Sequence, residues 1–228
     1  MILIFDLDDT LYDEMSFVTS GLHAVAKHGE TAFGLNAEQS YLDLIKILNE
    51  QGRGRVFNLW LDSHGIMSKG RVSECIKIYR HHKPKLTLFP QAQALLSKYH
   101  GVTPLYLVTD GHKVVQHNKV KALGLESKFK RIFITHRFGI KNAKPSTYCF
   151  ELIRRSEGCD WSDMIYVGDN PSKDFVNLNK VGMLTVRVLT GGHRHVEAKH
   201  GYDAKIVIKD LHEFNKQIFT SILGAGNE

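Results

Sequence analysis

The sequence predicts an α/β fold with a doubly wound parallel sheet, on three observations. Short apolar, β-rich runs recur at 2–5, 104–108, 131–135, 164–167, 184–188 and 204–208. Such runs suit strands buried on both faces. Helical patterns at 114–123, 146–155 and 174–181 fill gaps between them. Strand alternating with helix implies parallel pairing, right-handed crossovers and every strand C-terminus on one edge. The third observation is a break in that alternation. From about Asp13 to Pro90 there is no convincing strand, and 17–28, 37–49, 55–64 and 69–81 have helix-like apolar spacing.

The first strand is predicted at Ile2–Phe5, and it runs directly into Asp6-Leu7-Asp8-Asp9-Thr10. Carboxylates at a strand's C-terminal end lie where open α/β sheets bind ligands. Asp6 and Asp8 are close enough in sequence to share one Mg²⁺, and clustered carboxylates call for a cation or a shared proton. Next comes the helical interval, an expected insert with ends at 11–14 and 83–90. Gly29, Gly34, Gly52, Gly54, Gly65 and Gly70 punctuate it. Residues 1–13 and 90–228 are therefore expected to form the α/β core domain, and 14–89 an α-helical cap domain. The insert leaves and re-enters the core beside the first carboxylates, so it is placed to act as a lid.

The remaining strand ends also carry polar residues. The second strand ends at Thr109-Asp110-Gly111, where a hydroxyl and backbone N–H groups before a helix can cradle a phosphate. Lys144-Pro145 precedes the helix predicted at 146–155. The fourth strand ends at Gly168-Asp169-Asn170-Pro171-Ser172-Lys173-Asp174. Each segment alone also suits an ordinary turn or cap. A parallel sheet brings all four ends to one edge, which unites a nucleophile, a hydroxyl, a cation and metal-binding carboxylates in one cleft.

Composition bounds the rest. The chain has 228 residues, 43% hydrophobic and 24% charged, with a net charge of +6. That suits one large domain, or a domain with a substantial insertion. Lysine and arginine are spread along the chain, without the basic stripe and interleaved aromatics of a nucleic-acid surface. The three cysteines, Cys75, Cys149 and Cys159, form no CxxC pair. They are expected to be reduced thiols in a cytoplasmic protein. A strand starting at residue 2 leaves no room for a signal peptide, and no run of about 18 apolar residues suggests a membrane helix. His81-His82 and His193-Arg194-His195 lack helical metal spacing and are expected to be exposed. The tail after Phe214 is expected to fray.

The set of motifs resembles the haloacid dehalogenase-like (HAD) hydrolase superfamily, in order and over residues 2 to about 190. Asp6-Leu7-Asp8-Asp9-Thr10 matches its first motif, DxDx[TV]. Thr109 matches the second, Lys144 the third, and Gly168-Asp169 through Asp174 the fourth, GDxxxxD. The insert resembles the α-helical cap that one subgroup carries between the first two motifs. This implies a Rossmann-like core and a Mg²⁺-dependent phosphatase working through an aspartyl-phosphate.

On that resemblance Asp6 is the nucleophile and Asp8 the general acid and base. Asp6, the backbone carbonyl of Asp8, and Asp169 hold Mg²⁺. Thr109 and the N–H groups of Asp110 and Gly111 bind phosphoryl oxygens, and Lys144 neutralises Asp6 and the transferring group. Asp174 orients Lys144 or a metal-bound water, and Thr10 shapes the turn. Dehalogenases of the superfamily lack an acid where Asp8 stands, which argues against dehalogenation. Phosphonate hydrolysis needs a cap lysine, for which Lys27 and Lys46 stay open.

The expected partner is a small phosphorylated metabolite, a sugar phosphate or a nucleoside monophosphate, with no nucleic acid and no membrane. The expected state is a monomer or homodimer. Arg53 and Arg55, in the turn 51–55, and the segment 79–84 could read the leaving group. Phe57 and Trp60 are expected to pack the cap. A phosphomutase, or a non-catalytic phosphate-binding regulatory module of the same fold, is the alternative.

Overall fold

The computed structural model describes residues 1–214, and the tail expected to fray lies outside the described residues. In chain order, β1 (Ile2–Phe5) is followed by α1 (Glu14–Phe33), α2 (Ala37–Gln51), α3 (Val56–Ser63) and α4 (Lys69–His81). Then come α5 (Pro90–Tyr99), β2 (Leu105–Thr109), α6 (Lys113–Ala122), β3 (Arg131–Ile134) and α7 (Tyr148–Glu157). The order ends with β4 (Met164–Gly168), α8 (Val176–Lys180), β5 (Leu184–Val188) and β6 (Ile206–Ile208). The chain divides into two compact units. Among the described residues, one comprises 1–14, 87–116 and 123–214; the other comprises 15–86 with 117–122. The second half of α6, which the sequence assigns to the core, thus clusters with the helical unit. No helix among the described residues is long and apolar enough to cross a membrane.

In the sheet unit six strands run in the order β3-β2-β1-β4-β5-β6, all parallel. This is the doubly wound order, and strand progression reverses between β1 and β4. β1 is buried along its whole length. One face of the sheet supplies Ile4, Tyr106, Val108, Phe133 and Tyr166 to a core completed by Phe150 and Ile153 of α7 and Leu178 of α8. Each such side chain contributes about 1.5–3 kcal/mol on burial. Phe5 is in register with Leu107 on one side and Val167 on the other. The Asp6 N–H bonds the Val167 carbonyl at 2.8 Å, so the carboxylate emerges at the carboxyl edge beside the end of β4.

Several boundaries differ from the sequence expectation for local reasons. α5 has no counterpart in it: only Ala92, Leu95, Leu96 and Tyr99 mark its buried face, and Pro90 opens it. β6 begins at Ile206 because the Ala204 and Lys205 N–H groups bond Asp203 and Thr185 side chains (2.9 and 3.0 Å). α8 starts at Val176, because the carboxylate of Asp174 is engaged with Lys144 and the Asn170 N–H.

In the helical unit α1 runs unbroken through Gly21, inside the expected helix, and also through Gly29, which was expected to punctuate the insert. A Cβ on Gly29 would lie 2.7 Å from the Trp60 ring, and one on Gly21 2.5 Å from the Tyr79 ring. These glycines are therefore sites of close packing. The buried residues Phe17, Val18, Gly21, Leu22, Val25, Ala26 and Gly29 recur at helical spacing along α1. Of these, Val18, Leu22, Val25 and Ala26 pack with Leu44, Leu48, Val56, Trp60, Leu61 and Cys75 in one apolar cluster. Asn36 caps α2 by accepting from the Gln39 N–H at 2.9 Å, and Ser68 caps α4 by accepting from Arg71 at 3.2 Å.

Candidate active site at the carboxyl edge of the sheet

The three acids after β1 have three different partners. The Asp6 carboxylate lies 3.0 Å from the ammonium of Lys144. Asp8 accepts a hydrogen bond from the Tyr12 hydroxyl at 2.6 Å through one oxygen and from the Gln116 amide at 2.9 Å through the other. Asp9, at φ +54°, accepts from the Glu14 and Gly192 N–H groups at 3.0 Å each. Its carbonyl also accepts from the Thr190 hydroxyl. A Cβ on Gly191 would lie 2.0 Å from the Asp9 carboxyl carbon, so this loop requires glycine there. Asp9 therefore anchors the turn that Thr10 was expected to shape. Thr10 is fully buried within that turn, and its hydroxyl finds no partner among the described residues.

Lys144 is the hub of the ionic cluster. Its side chain is 1% exposed, and its ammonium also lies 2.7 Å from Asp174 and 2.9 Å from the Tyr166 hydroxyl. Burial opposes the charge of Lys144, but Asp174 and Asp6 hold its pKa well above the ordinary lysine value. It stays a cation. Burial also pushes Asp174 up, yet Lys144, Lys173 and hydrogen bonds outweigh it and hold that carboxyl below the usual range. Asp6 is pushed up to about 6, because burial exceeds the help from Lys144.

The loop after β4 is built around Asp174. Its second oxygen accepts from the Asn170 N–H at 2.9 Å, and a Cβ on Gly168 would stand 2.7 Å from that oxygen. Gly168 thus lets the strand end approach the carboxylate. Carboxylate oxygens of Asp6, Asp169 and Asp174 all lie within 4.8 Å of one another, and all three residues are buried. Three carboxylates facing one lysine leave a surplus of negative charge. Burial, then Asp174 and Asp6, push Asp169 up to about 9. That donor set fits a hard divalent cation, which would return Asp169 to its ionised form. Asp174, expected to orient Lys144 or a metal-bound water, has its carboxylate in this cluster. The Asp8 carboxyl is turned to Tyr12 and Gln116.

At the end of β2, Thr109 is buried and Gly111 takes φ +140°. Asp110 accepts from the Thr135 hydroxyl at 2.6 Å and the Lys144 N–H at 3.2 Å, which ties the second strand end to the third. The sheet unit thus brings together Asp6, Asp8, Thr109, Asp110, Gly111, Lys144, Asp169 and Asp174. Arg53 belongs to the helical unit. It is exposed there, and it borders a cavity of about 180 Å³ with Leu22, Leu48, Phe57 and Tyr79. Two histidine expectations are corrected. His193 is half-buried, with its ring 2.9 Å from the Asn170 amide nitrogen, because the Arg187 guanidinium grips its carbonyl at 2.9 Å. His82 is half-buried too, and its ring packs on Phe17.

Tyr12, Gln116 and Tyr166 are site residues that sequence reasoning passed over. Tyr12 follows Asp8 by four positions. Tyr166 puts a hydroxyl in an otherwise apolar strand, and a buried hydroxyl needs a partner. Gln116 gives no such signal in the sequence.

The chain belongs to the haloacid dehalogenase-like hydrolases, whose family model matches residues 3–188. Within that class it is 27% identical over 203 residues to glyceraldehyde 3-phosphate phosphatase of Methanocaldococcus jannaschii, covering 86% of this chain and 87% of the relative. It is 25% identical over 225 residues to pyrimidine 5'-nucleotidase YjjG of Escherichia coli, covering 94% and 96%. Among solved structures, the putative HAD-hydrolase YfnB of Bacillus subtilis, bound to magnesium, shares the fold. The TM-score is 0.67 at 19% identity, covering 93% of this chain and 95% of that one.

Proposed function

We propose that this protein is a Mg²⁺-dependent phosphatase that hydrolyses a small phosphomonoester through an aspartyl-phosphate on Asp6. The reaction class is phosphoric monoester hydrolysis. The observation that carries the mechanism is the buried cluster of Asp6, Lys144, Asp169 and Asp174, which holds a nucleophile, a fixed cation and a surplus of carboxylate. Relatives named for a triose phosphate and for pyrimidine nucleotides support a small phosphorylated substrate.

An Asp6 oxygen attacks phosphorus in line, and the ester oxygen leaves as Asp8 delivers a proton to it. Asp8 then takes a proton from the water that cleaves the acyl phosphate, which restores Asp6. The Thr109 hydroxyl and the N–H groups of Asp110 and Gly111 donate to the phosphoryl oxygens. Lys144 offsets charge on Asp6 and the transferring group, and Asp174 and Tyr166 fix its ammonium. Asp6, the Asp8 carbonyl and Asp169 would hold Mg²⁺, with Asp174 supporting them. When bound, the ion supplies the positive charge that lets an anionic carboxylate meet an anionic phosphate. Arg53 is the candidate for reading the leaving group.

Phosphate release from triose phosphates, nucleoside monophosphates and small phosphorylated acids tests this reading. Each substrate is run with Mg²⁺, with a chelator and with Asp6→Asn. Release that needs both Mg²⁺ and Asp6 is expected, with a loss of about 10³-fold or more in the variant. Near-normal turnover by folded Asp6→Asn would sink the mechanism.

A further inference from the structure

We infer that Gln116 is a positioning residue that aims the Asp8 carboxyl and the Thr109 hydroxyl, so that the first delivers its proton and the second donates to phosphate. Gln116 lies in the first turn of α6 and is 1% exposed. Its amide nitrogen stands 2.6 Å from the Thr109 hydroxyl oxygen and 2.9 Å from an Asp8 carboxylate oxygen. One NH₂ group thus joins the ends of β1 and β2. The turn between Thr109 and α6 is shaped for this reach. Gly111 has φ +140°, and a Cβ there would meet Gln116 at 3.1 Å. The glycine expected to serve a phosphate cradle therefore also makes room for the amide.

The chemistry of the two acceptors gives the amide its effect. A buried amide is costly unless it is bonded, and methionine would fill the same space without that cost. Glutamine presents two N–H donors from one nitrogen, one for each acceptor. An N–H directed at Thr109 occupies a lone pair of the hydroxyl, so the hydroxyl's own hydrogen points elsewhere as a donor. An N–H directed at Asp8 holds one carboxyl oxygen while the Tyr12 hydroxyl holds the other at 2.6 Å. Without Gln116 the Asp8 carboxyl loses the donor on the first of these oxygens and can shift toward a new position.

The leaving-group arm of the test rests on the phosphatase reading; the structural arm does not. Gln116→Met conserves volume and removes the donor. A mis-aimed general acid matters most where the leaving group is a poor one. With Mg²⁺, kcat on an alkyl phosphate should fall by roughly 10²-fold, within the range of general-acid catalysis, while kcat on p-nitrophenyl phosphate falls only a few-fold. Equal loss on both substrates by the folded variant would mean that Gln116 does not aim the general acid, and would overturn the inference. A crystal structure of Gln116→Met should show the Asp8 carboxyl displaced or in two rotamers. An unmoved Asp8 overturns the inference whether or not the wild-type protein releases phosphate. Gln116→Leu serves both arms if the methionine variant does not fold.

Discussion

Trp60 and Lys144 are both almost wholly buried, in opposite surroundings. Trp60 packs in the helical unit among Leu44, Leu48, Val56 and Leu61, against the bare backbone of Gly29. Lys144 sits in the sheet unit among Asp6, Asp174 and Tyr166. Burying the indole gains from hydrocarbon leaving water. Burying the ammonium takes a full charge out of water, and its partners roughly offset that cost without a large surplus. Maximum stability does not account for four ionisable side chains buried at one sheet edge. A reaction that moves negative charge does. The comparison separates a part of the chain organised for folding from a part organised for chemistry.

Removing the lysine should break the second part most severely. Lys144→Met leaves Asp6, Asp169 and Asp174 facing one another without their cation. Turnover should fall by about 10²–10³-fold or more, as when a preorganised electrostatic donor is lost. In chelator, urea denaturation should show a loss of about 3–5 kcal/mol, because a buried pair has lost one partner. Mg²⁺ should restore much of that stability. Full stability of Lys144→Met in chelator would mean that the cluster is less tightly coupled than its distances indicate.

Trp60→Ala sharpens the contrast from the apolar side. Its expected cost is about 3–5 kcal/mol from lost transfer energy and the cavity left behind. Mg²⁺ should recover none of the packing, so the variant's deficit relative to wild type should be the same with ion or chelator. A deficit that depends on Mg²⁺ would erase the distinction between the two regions.

The last contrast is a pH trend in the wild-type protein, with no residue replaced. Asp169, at about 9, and Asp6, at about 6, lie above the ordinary aspartate value of 3.8 in the folded state. Between 3.8 and those values the folded protein holds protons that the unfolded chain has released, so stability falls as pH rises. Asp174 is shifted downward and contributes with the opposite sign, below 3.8. Melting in chelator should therefore show lower Tm at pH 8 than at pH 5. Mg²⁺ should raise Tm more at pH 8, because it replaces those protons. A Mg²⁺ shift that shrinks with pH would contradict the charge surplus assigned to the cluster.

Much of this molecule is legible in one dimension because its signals are local. The strand at 2–5 ends in acids, the strand at 184–188 is uninterrupted, and the helix at 69–81 has a Ser68 cap. Four polar strand ends in the order of a known family give the fold, since parallel topology then sends them to one edge. The readings that fail depend on distant partners. Gly29 looks like a helix break, and only the Trp60 ring beside it makes it a helix interior. His193 looks exposed until Arg187 draws its carbonyl inward.

The sequence by itself determined the alternation of strand and helix, the helical insertion and the identity of the acids, threonine and lysine at the edge. Periodicity and residue chemistry are properties of the chain, and they persist whatever packs against it. Tertiary structure alone decided which partner each acid takes: Lys144 for Asp6, Tyr12 and Gln116 for Asp8, and backbone N–H groups for Asp9. Those pairings depend on distances of about 3 Å between residues up to 183 positions apart, and no pattern along the chain carries that distance.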